Sequence, residues 1–218
     1  HQQITDGDGT HMEVKRDIYT QLEGHDPEYK DTQTVTLHRT GDKNLATGEI
    51  VWGAWGTGIM KSYAAPTYTN YTVQNPDDAP AMDITSSTKD MNVTFNYTED
   101  TKEITDGDGT QKNVTRDIYT HLEEQPNKVY VTTQTATLHR KGVQNLVTGK
   151  ITWGTWDTAT LDAFSAPSIK NYHVLNPEAA TKLTVNDSTQ SMAVTFEYAA
   201  DHQQITDGDG THMEVKRD

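Results

Sequence analysis

One seven-residue stretch, Ile-Thr-Asp-Gly-Asp-Gly-Thr, occurs three times in this chain, at residues 4–10, 104–110 and 205–211. The first and last 17 residues are also identical to each other. Self-similarity at a fixed period is the sequence signature of a repeat architecture, so it constrains the fold more than any single motif. We therefore interpret the chain as a window of a tandem array, with predicted domains at 1–100 and 101–201 and the start of a third repeat at 202–218.

The composition excludes several classes of protein and site. The chain has no cysteine, which rules out disulfide bonds, cysteine-ligated zinc and a thiol nucleophile. Its net charge of −14 repels phosphate backbones and anionic lipid, so nucleic acid is not an expected partner. No apolar run reaches the ~18 residues of a membrane-spanning helix. We therefore expect no membrane insertion of this fragment.

Alternation of apolar and polar residues predicts strands in both repeats. The predicted strands of the first repeat are 17–22, 32–39, 49–55 and 92–97. Those of the second repeat follow the same path and include 133–140, 150–156 and 193–198. Turn chemistry between the second and third strands of the first repeat predicts that these two form a hairpin with a long loop.

The helical signal is weak throughout the chain. The best candidate is residues 176–182, which could form one or two helical turns with Asn176 as the cap and Pro177 at the first position. The second repeat also has one residue more than the first in the loop between its first two strands, as surface connections allow. We predict a mainly β fold with short helices at most.

Each repeat is predicted to bury one common core. In the first repeat the core is predicted to contain Ile18, Leu37, Val93, Phe95 and one of Trp52 and Trp55. In the second repeat the counterparts are Ile118, Leu138, Val194, Phe196 and one of Trp153 and Trp156. The tryptophans of a pair are three residues apart on a strand, so they point to opposite faces unless a bulge intervenes. We expect one to anchor the core and the other to be partly exposed, either packed or available to the apolar face of a sugar.

Enzyme chemistry has little support in the sequence. The chain has no Gly-x-Ser-x-Gly, Walker or His-Glu-x-x-His motif. His38 and His139 lie at matching positions beside Arg39 and Arg140, and we interpret them as pairing or packing residues. We therefore expect no enzymatic activity.

The Asp-Gly-Asp-Gly motif has two interpretations. Asp-Gly pairs supply the positive-φ residues of a tight turn. Carboxylates at this spacing also resemble the start of an EF-hand loop, which makes Asp106 and Asp108 candidate calcium ligands. However, His11 occupies the sixth position of the first copy, where an EF-hand needs glycine, and the bidentate glutamate is absent. A turn without metal and a calcium site both remain open.

Residues 133–172 carry a family resemblance. The segments Thr-Gln-Thr-Ala-Thr-Leu-His-Arg, Val-Thr-Gly-Lys-Ile-Thr-Trp-Gly-Thr-Trp-Asp-Thr-Ala-Thr and Phe-Ser-Ala-Pro-Ser-Ile-Lys-Asn-Tyr occur there in this order. They resemble the Mub repeats of lactobacillar mucus-binding proteins, specifically the B2-type domain related to MucBP. Residues 187–198 fit the same pattern, and the first repeat runs in parallel. The Asp-Gly-Asp-Gly stretch is not part of the pattern.

The resemblance implies a fold, a location and a function. It implies tandem β-grasp-like, ubiquitin-related domains in an elongated array on the surface of a Gram-positive cell, within a parent protein anchored to the cell wall. The implied partners are mucin glycans or host glycoproteins, bound by many weak contacts, and neighbouring repeats of the same chain. A structural spacer that projects a distal adhesive domain is the alternative. The family motif does not specify ligand-binding residues.

The junction between repeats is predicted to be ordered. Its central turn, at residues 106–109, has β-compatible segments on both sides, unlike a flexible Gly/Ser linker. We expect Ile104 to be buried against a neighbouring repeat. Ile205 in the third copy is expected to have the same role, with residues 202–218 ordered.

Overall fold

The structure is a computed structural model that describes residues 1–74, 76–175 and 177–218. These residues form two compact units. The first unit comprises His1–Lys102 together with Gln144–Ile151, and the second comprises Glu103–Val143 together with Thr152–Asp218. All regular structure in the described part of the chain is β-strand, which confirms the predicted mainly β fold.

The strands of the first repeat are β1 (Gln2–Ile4), β2 (His11–Leu22), β3 (Glu28–His38), β4 (Gly41–Lys43), β5 (Ile50–Trp52), β6 (Gly58–Met60), β7 (Tyr63–Ala64), β8 (Tyr71–Val73), β9 (Asp78–Ala79), β10 (Met82–Ile84) and β11 (Met91–Glu99). Those of the second repeat are β12 (Thr101–Ile104), β13 (Gln111–Leu122), β14 (Val129–His139), β15 (Gly142–Asn145), β16 (Ile151–Trp153), β17 (Ala159–Leu161), β18 (Phe164–Ser165), β19 (Tyr172–Val174), β20 (Ala179–Ala180), β21 (Leu183–Val185) and β22 (Met192–Ala200).

A mixed four-stranded sheet is the main element of each repeat. Its order is β3-β2-β11-β8 in the first repeat and β14-β13-β22-β19 in the second. The two central strands are parallel, with Ile18 opposite Val93, whereas both outer strands are antiparallel to their neighbours. Parallel neighbours need a long crossover, which here contains the long strand β3 and the short strands β4 to β10.

The predicted hairpin between residues 32–39 and 49–55 is wrong. β3 pairs instead with β2, and Leu37 lies opposite Met12. β5 pairs with β4, a strand of three residues inside the stretch that turn chemistry had predicted as loop. Gly48 closes the connection between β4 and β5, because its φ of 77° allows its N–H to donate to Asn44 O over 2.7 Å.

The core of each repeat consists of two clusters, so the prediction of one common core is wrong. In the first repeat, one cluster contains Val14, Leu37, Met60 and Ile84, with Trp55 packed against it. The other contains Ile18, Ala79, Phe95 and Tyr97, with Val93 packed against it. The second repeat divides in the same way, with Leu138 and Trp156 in one cluster and Ile118, Phe196 and Val194 in the other.

A buried arginine lies between the two clusters. Arg16 alternates with Val14 and Ile18 on the inward face of β2 and is only 2% exposed. Its guanidinium donates to Gln33 Oε1 (2.8 Å) and to two backbone oxygens, Pro80 O (2.8 Å) and Lys61 O (2.7 Å). These acceptors satisfy the buried charge without a carboxylate, as burial of a cation requires. Burial also lowers the pKa of Arg16.

The equivalent arginine of the second repeat has the same environment. Arg116 is 3% exposed and donates to Gln134 Oε1 (2.8 Å), Thr181 O (2.7 Å) and Asp162 O (2.7 Å). The polar connection between the two clusters is therefore part of the repeat and is not particular to one copy.

Two local predictions fail for identifiable reasons. The possible helix at 176–182 is replaced over its described residues by the strand Ala179–Ala180, which pairs with β18, and Asn176 lies outside the described residues. Ile205 is 71% exposed, so its predicted burial is wrong. Residues 202–218 contain no strand. They correspond to residues 1–17, and in the first repeat β1 and β2 pair with β4, β3 and β11, which are all formed by residues after 17.

The junction itself has regular structure. Residues 101–104 form β12 and are followed by the turn. Ile104 is half-buried, and its equivalent Ile4 pairs with Gly41 in a sheet of its own repeat. Among the described residues, no helix is long and apolar enough to cross a membrane.

Candidate functional site

The Asp-Gly-Asp-Gly motif forms a compact turn that its own residues close. Thr10 N donates to Gly7 O over 3.1 Å, and Thr10 Oγ1 donates to the same oxygen over 2.5 Å. Gly7 and Gly9 have φ values of 93° and 82°, which glycine adopts without a steric penalty. Thr10 is completely buried, so the end of the turn is part of the folded unit.

An arginine at the end of the long strand holds this turn. Arg39 N donates to Thr10 O (2.9 Å), and Arg39 Nε donates to Gly9 O (2.7 Å). Arg140 makes the same two hydrogen bonds, to Thr110 O (2.9 Å) and Gly109 O (2.7 Å). Each turn is therefore attached to the strand that ends beside it.

The same arginine stacks against both tryptophans of its repeat. The Arg39 guanidinium carbon lies 4.4 Å from the Trp52 ring centroid and 4.5 Å from that of Trp55. Arg140 lies 4.4 Å from both indoles of the second repeat. A guanidinium over an indole face is a favourable cation–π contact. We call the four residues Gly9, Arg39, Trp52 and Trp55, and likewise Gly109, Arg140, Trp153 and Trp156, the turn–arginine–tryptophan cluster.

The two tryptophans of each cluster have different roles. Trp55 and Trp156 pack against the core clusters that contain Leu37 and Leu138, so the prediction that one tryptophan anchors the core is confirmed. Trp52 lies against Gly9 of the turn, where an added β-carbon would come within 2.6 Å of its Cζ2. Both tryptophans are half-buried.

A groove of about 460 Å³ borders this cluster in the second unit. Its lining residues are Thr105, His139, Arg140, Lys141, Gly154, Thr155 and Asp157. Asp157 Oδ1 accepts a hydrogen bond from His139 N over 2.7 Å, and Asp157 Oδ2 lies 3.7 Å from His139 Nδ1. Lys141 Nζ lies 3.3 Å from Glu103 Oε1. The groove therefore places cations and a carboxylate beside an aromatic cluster.

The first repeat differs at three of these positions. Thr40, Ala54 and Gly56 replace Lys141, Thr155 and Asp157, so the copy in the first repeat lacks both the lysine and the carboxylate. His38 packs edge-to-face against His11 instead, with their ring centroids 4.5 Å apart.

A separate groove of about 560 Å³ occurs in the first unit. It is lined by His1, Gln3, Thr40, Gly41, Asp42, Val51, Trp52 and Gly53. Trp52 of the cluster lines it, whereas the groove of the second unit meets its cluster through Arg140. The groove of the first unit thus combines an indole with polar groups, and that of the second unit combines cations with a carboxylate.

The candidate calcium ligands lie on the exposed side of the second turn. Asp106 and Asp108 are both exposed. In the first copy, Asp6 Oδ1 accepts a hydrogen bond from Gly7 N over 2.9 Å, so this carboxylate caps the turn. No cluster of three histidine or acidic side chains suited to a metal occurs in the described ranges. Calcium binding at the turn stays a prediction.

The sequence-based interpretation missed the role of the arginine. Arg39 and Arg140 occupy equivalent positions directly after a Thr-rich strand and before a tryptophan pair. This recurrence was the available signal, but only the fold shows that the turn approaches the same side chain. The turn motif and the tryptophan pair, interpreted separately from sequence, belong to one cluster.

Both repeats match the model of one protein family, described as the Muc B2-like domain, over residues 6–101 and 105–202. These two matches include most of the chain. The chain belongs to the Muc B2-like domain family. Both complete repeats, with their four-stranded sheets and turn–arginine–tryptophan clusters, are thus Muc B2-like domains, which confirms the family indicated by the sequence. No curated protein matches the chain.

The chain is also similar to solved structures. The crystal structure of Mub-RV is 16% identical, with a TM-score of 0.52, over 87% of this chain and 100% of that chain. The type 2 repeat of the mucus binding protein MUB from Lactobacillus reuteri is 18% identical, with a TM-score of 0.42, over 86% of this chain and 100% of that chain. The mucin-binding domain of Spr1345 from Streptococcus pneumoniae is 21% identical, with a TM-score of 0.38, over 45% of this chain and 97% of that chain. The likeness to Mub-RV supports the fold of this chain at low sequence identity.

Proposed function

We propose that this chain is an adhesion segment that binds mucin glycans or host glycoproteins through weak contacts repeated along the array. The observation that carries the proposal is the Muc B2-like match of both repeats. The absence of catalytic motifs from the sequence agrees with a binding role. The parent protein is proposed to be extracellular and anchored to a bacterial cell wall.

The groove beside Arg140 is the proposed contact surface of the second repeat. A sugar presents several hydroxyl groups, which charged hydrogen-bonding groups such as those lining this groove can recognise. Arg140 is pre-organised there because two indoles and Gly109 O hold its guanidinium. Asp157 and Lys141 add an acceptor and a donor at the rim.

Weak single contacts are sufficient for adhesion when they are linked. Joining two sites makes the second binding event intramolecular, and avidity then exceeds either single affinity. An open groove of about 460 Å³ fits such a weak site better than a deep pocket does. The proposed function therefore depends on repeat number as well as on any one groove.

Exchange of groove residues between the repeats tests the proposal. The variant Lys141→Thr, Thr155→Ala, Asp157→Gly gives the second repeat the residues of the first. We expect binding to a mucin-coated biosensor to fall about tenfold, because charged hydrogen-bond partners are lost. The reverse exchange, Thr40→Lys, Ala54→Thr, Gly56→Asp, is the matched control and is expected to raise binding.

The possible outcomes separate three cases. A loss in the first variant and a gain in the reverse variant supports adhesion through the groove. If both variants bind mucin as strongly as the unaltered chain does, adhesion uses another surface. If the unaltered chain does not bind mucin at any density on the sensor, the spacer alternative is favoured over adhesion.

A further inference from the structure

Two histidines face each other across the first strand pair of the first repeat. His11 begins β2, His38 ends β3, and the two are direct partners in the antiparallel register. Side chains at directly opposite positions have β-carbons about 4.5–5.5 Å apart, so they can hold one ligand between them. Both residues are exposed. A small ion therefore reaches both imidazoles from solvent.

The turn before His11 determines which nitrogen of its ring is free. Thr10 Oγ1 donates its one hydrogen to Gly7 O over 2.5 Å. The same oxygen lies 2.7 Å from His11 Nδ1, so it accepts a hydrogen bond from an Nδ1–H group. In the neutral ring Nε2 then carries the lone pair, and this is the atom that binds a metal ion. A hydrogen bond to the other ring nitrogen is how metal-binding histidines are oriented in proteins.

This orientation comes from the local sequence. In the third copy of the motif, Thr211 Oγ1 donates to Gly208 O over 2.6 Å and lies 2.9 Å from His212 Nδ1. Residues 202–218 contain no strand, so the motif presents the Nε2 atom of its histidine without any strand pairing. The first repeat adds a second imidazole, that of His38, on the opposite strand.

The separation of the two rings matches binding to one ion. The ring centroids of His11 and His38 are 4.5 Å apart, and the ring planes are inclined by 74°. A metal ion about 2.0–2.1 Å from one nitrogen of each ring, with the two ligands at right angles, also places the centroids about 4.5 Å apart. The strands therefore need not move, and rotation of the exposed imidazoles is sufficient.

A carboxylate lies beside the free nitrogen. Asp6 Oδ1 is 3.7 Å from His11 Nε2, and the Asp6 side chain is 89% exposed. This carboxylate offsets the charge of a bound cation, which the net charge of −14 also attracts. Within the described ranges no group of three histidine or acidic side chains is arranged to hold a metal, so water completes the coordination of an ion bound by the pair.

We propose that His11 and His38 form a binding site for a divalent transition-metal ion, with Cu²⁺ bound most tightly. Imidazole suits copper, nickel and zinc, and two nitrogens at adjacent corners suit tetragonal Cu²⁺. Calcium prefers oxygen ligands, so this site is distinct from the calcium candidates Asp106 and Asp108. The bound ion crosslinks the start of β2 to the end of β3.

The second repeat provides an internal control. Gln111 occupies the position of His11 and lies opposite His139, so only one imidazole is present. Both residues are exposed although a complete repeat precedes them, so the exposure of this position does not depend on where the chain begins. Thr110 Oγ1 donates to Gly107 O over 2.6 Å, so the imidazole that Gln111→His introduces has the same acceptor for its Nδ1–H group.

Paramagnetic broadening of amide signals by substoichiometric Cu²⁺ locates the bound ion. Every chain in the series carries His1→Gln, because the amine and imidazole of a terminal histidine form a chelate of their own. With the pair intact we expect broadening at residues 10–12 and 37–39. His11→Gln, which introduces the residue of the second repeat, should weaken Cu²⁺ binding there about 100-fold, since one of two linked ligands is lost. His139→Gln removes an unpaired histidine and should leave binding at the pair unchanged.

Gln111→His should create a second broadened region at residues 110–112 and 138–140. Equal broadening at residues 10–12 and 37–39 with and without His11→Gln overturns the proposal, as does the absence of broadening there when the pair is intact. A second region that fails to appear in Gln111→His overturns it too, because paired histidines and the turn are then present without a bound ion.

Discussion

Trp153 lies so close to Gly109 that a β-carbon on the glycine would be 2.6 Å from the indole Cζ2. Gly107, two residues earlier, also has positive φ, but an added β-carbon there meets no heavy atom within 4 Å. The two glycines of one motif are therefore required for different reasons. Gly107 is required by the backbone conformation alone, and Gly109 by both conformation and packing.

Alanine substitutions separate these two requirements. Gly107→Ala is expected to cost about 1 kcal/mol, because alanine is strained at positive φ. Gly109→Ala adds a clash with Trp153 and is expected to cost a further 1–3 kcal/mol or so. Native-state hydrogen exchange of amides in β13 and β14 measures the free energy of opening of the second unit. Equal losses in the two variants would show that the indole moves away freely.

Removal of metal is expected to leave the turn intact. Thr110 N and Oγ1 both donate to Gly107 O, so the turn is closed by groups of its own. EDTA should not change the thermal midpoint of the protein. A midpoint raised by calcium in the unaltered chain, and not in Asp106→Ala/Asp108→Ala, would instead establish the calcium site.

Phe95→Ala is expected to destabilise the first unit by about 3–5 kcal/mol, because Phe95 is 1% exposed. Urea unfolding measures this loss.

The division of the core into two clusters predicts that substitutions in different clusters act independently. Ile18→Val and Ile84→Val lie in different clusters, so their costs in urea-unfolding free energy should add within about 0.5 kcal/mol. A large coupling between the two would mean that the clusters behave as one core.

Arg16→Met is expected to be strongly destabilising although methionine is apolar and of similar length. The substitution removes the donor of Pro80 O and of Gln33 Oε1, at about 1–3 kcal/mol each, whereas Lys61 O keeps a hydrogen bond from Gln33 Nε2. Lys15→Met is the matched control, since Lys15 is exposed and its Nζ lies 3.7 Å from Glu13 Oε2. It should change the urea-unfolding free energy by less than about 0.5 kcal/mol. Similar small losses in both variants would contradict the role assigned to Arg16.

The stability of the second unit is expected to fall as pH rises above neutrality. A hydrogen bond from His121 Nδ1 to Glu197 Oε2 (2.6 Å), and then one from Nε2 to Gln125 O (2.8 Å), raise the pKa of His121 above its ordinary value. A raised folded-state pKa contributes stability that is fully present below the unfolded pKa of about 6.5. That contribution is lost as pH rises through the folded-state pKa.

His121→Gln provides the control for this pH dependence, because glutamine occupies the equivalent position 21 of the first repeat. We measure the free energy of amide opening in the second unit as a function of pH. In the variant this free energy should fall less steeply as pH rises, because the contribution of His121 is absent. His121, Lys128 and Glu197 line one groove of the second unit, so Lys128 is a second cation beside the histidine. An identical pH slope in the unaltered chain and in the variant would rule out the histidine as its source.

Sequence periodicity predicted the strands better than their partners. The alternation in residues 92–97 gave Phe95 and Tyr97 their correct inward face. It could not reveal β4, because three residues that include a glycine have no detectable period. The partner of β3 was therefore assigned to the wrong strand.

Charged residues explain the remaining differences. Arg16 falls on the inward face of β2, but a pattern based on hydrophobicity assigns a guanidinium to solvent. Its burial depends on backbone oxygens at residues 61 and 80, which only the folded chain brings near. The candidate surface at Arg39 and Arg140 was missed for the same reason, since the turn that holds each arginine is about 30 residues away in sequence.

The parallel pairing of β2 with β11 determines how a repeat resists tension. The chain enters this pair at one end and leaves it at the other, so opposed forces on the repeat's termini slide the two strands lengthwise. The register from Met91–Arg16 to Tyr97–Leu22 is then loaded simultaneously, in shear. By contrast, β2 and β3 meet at His11 and His38, where the same force would peel one pair at a time. Single-molecule pulling can be applied at the start of β2 and the end of β11, or at His11 and His38. The rupture force should be higher for the first pair of attachment points. A Muc B2-like domain thereby gains mechanical resistance along its chain from strand direction alone.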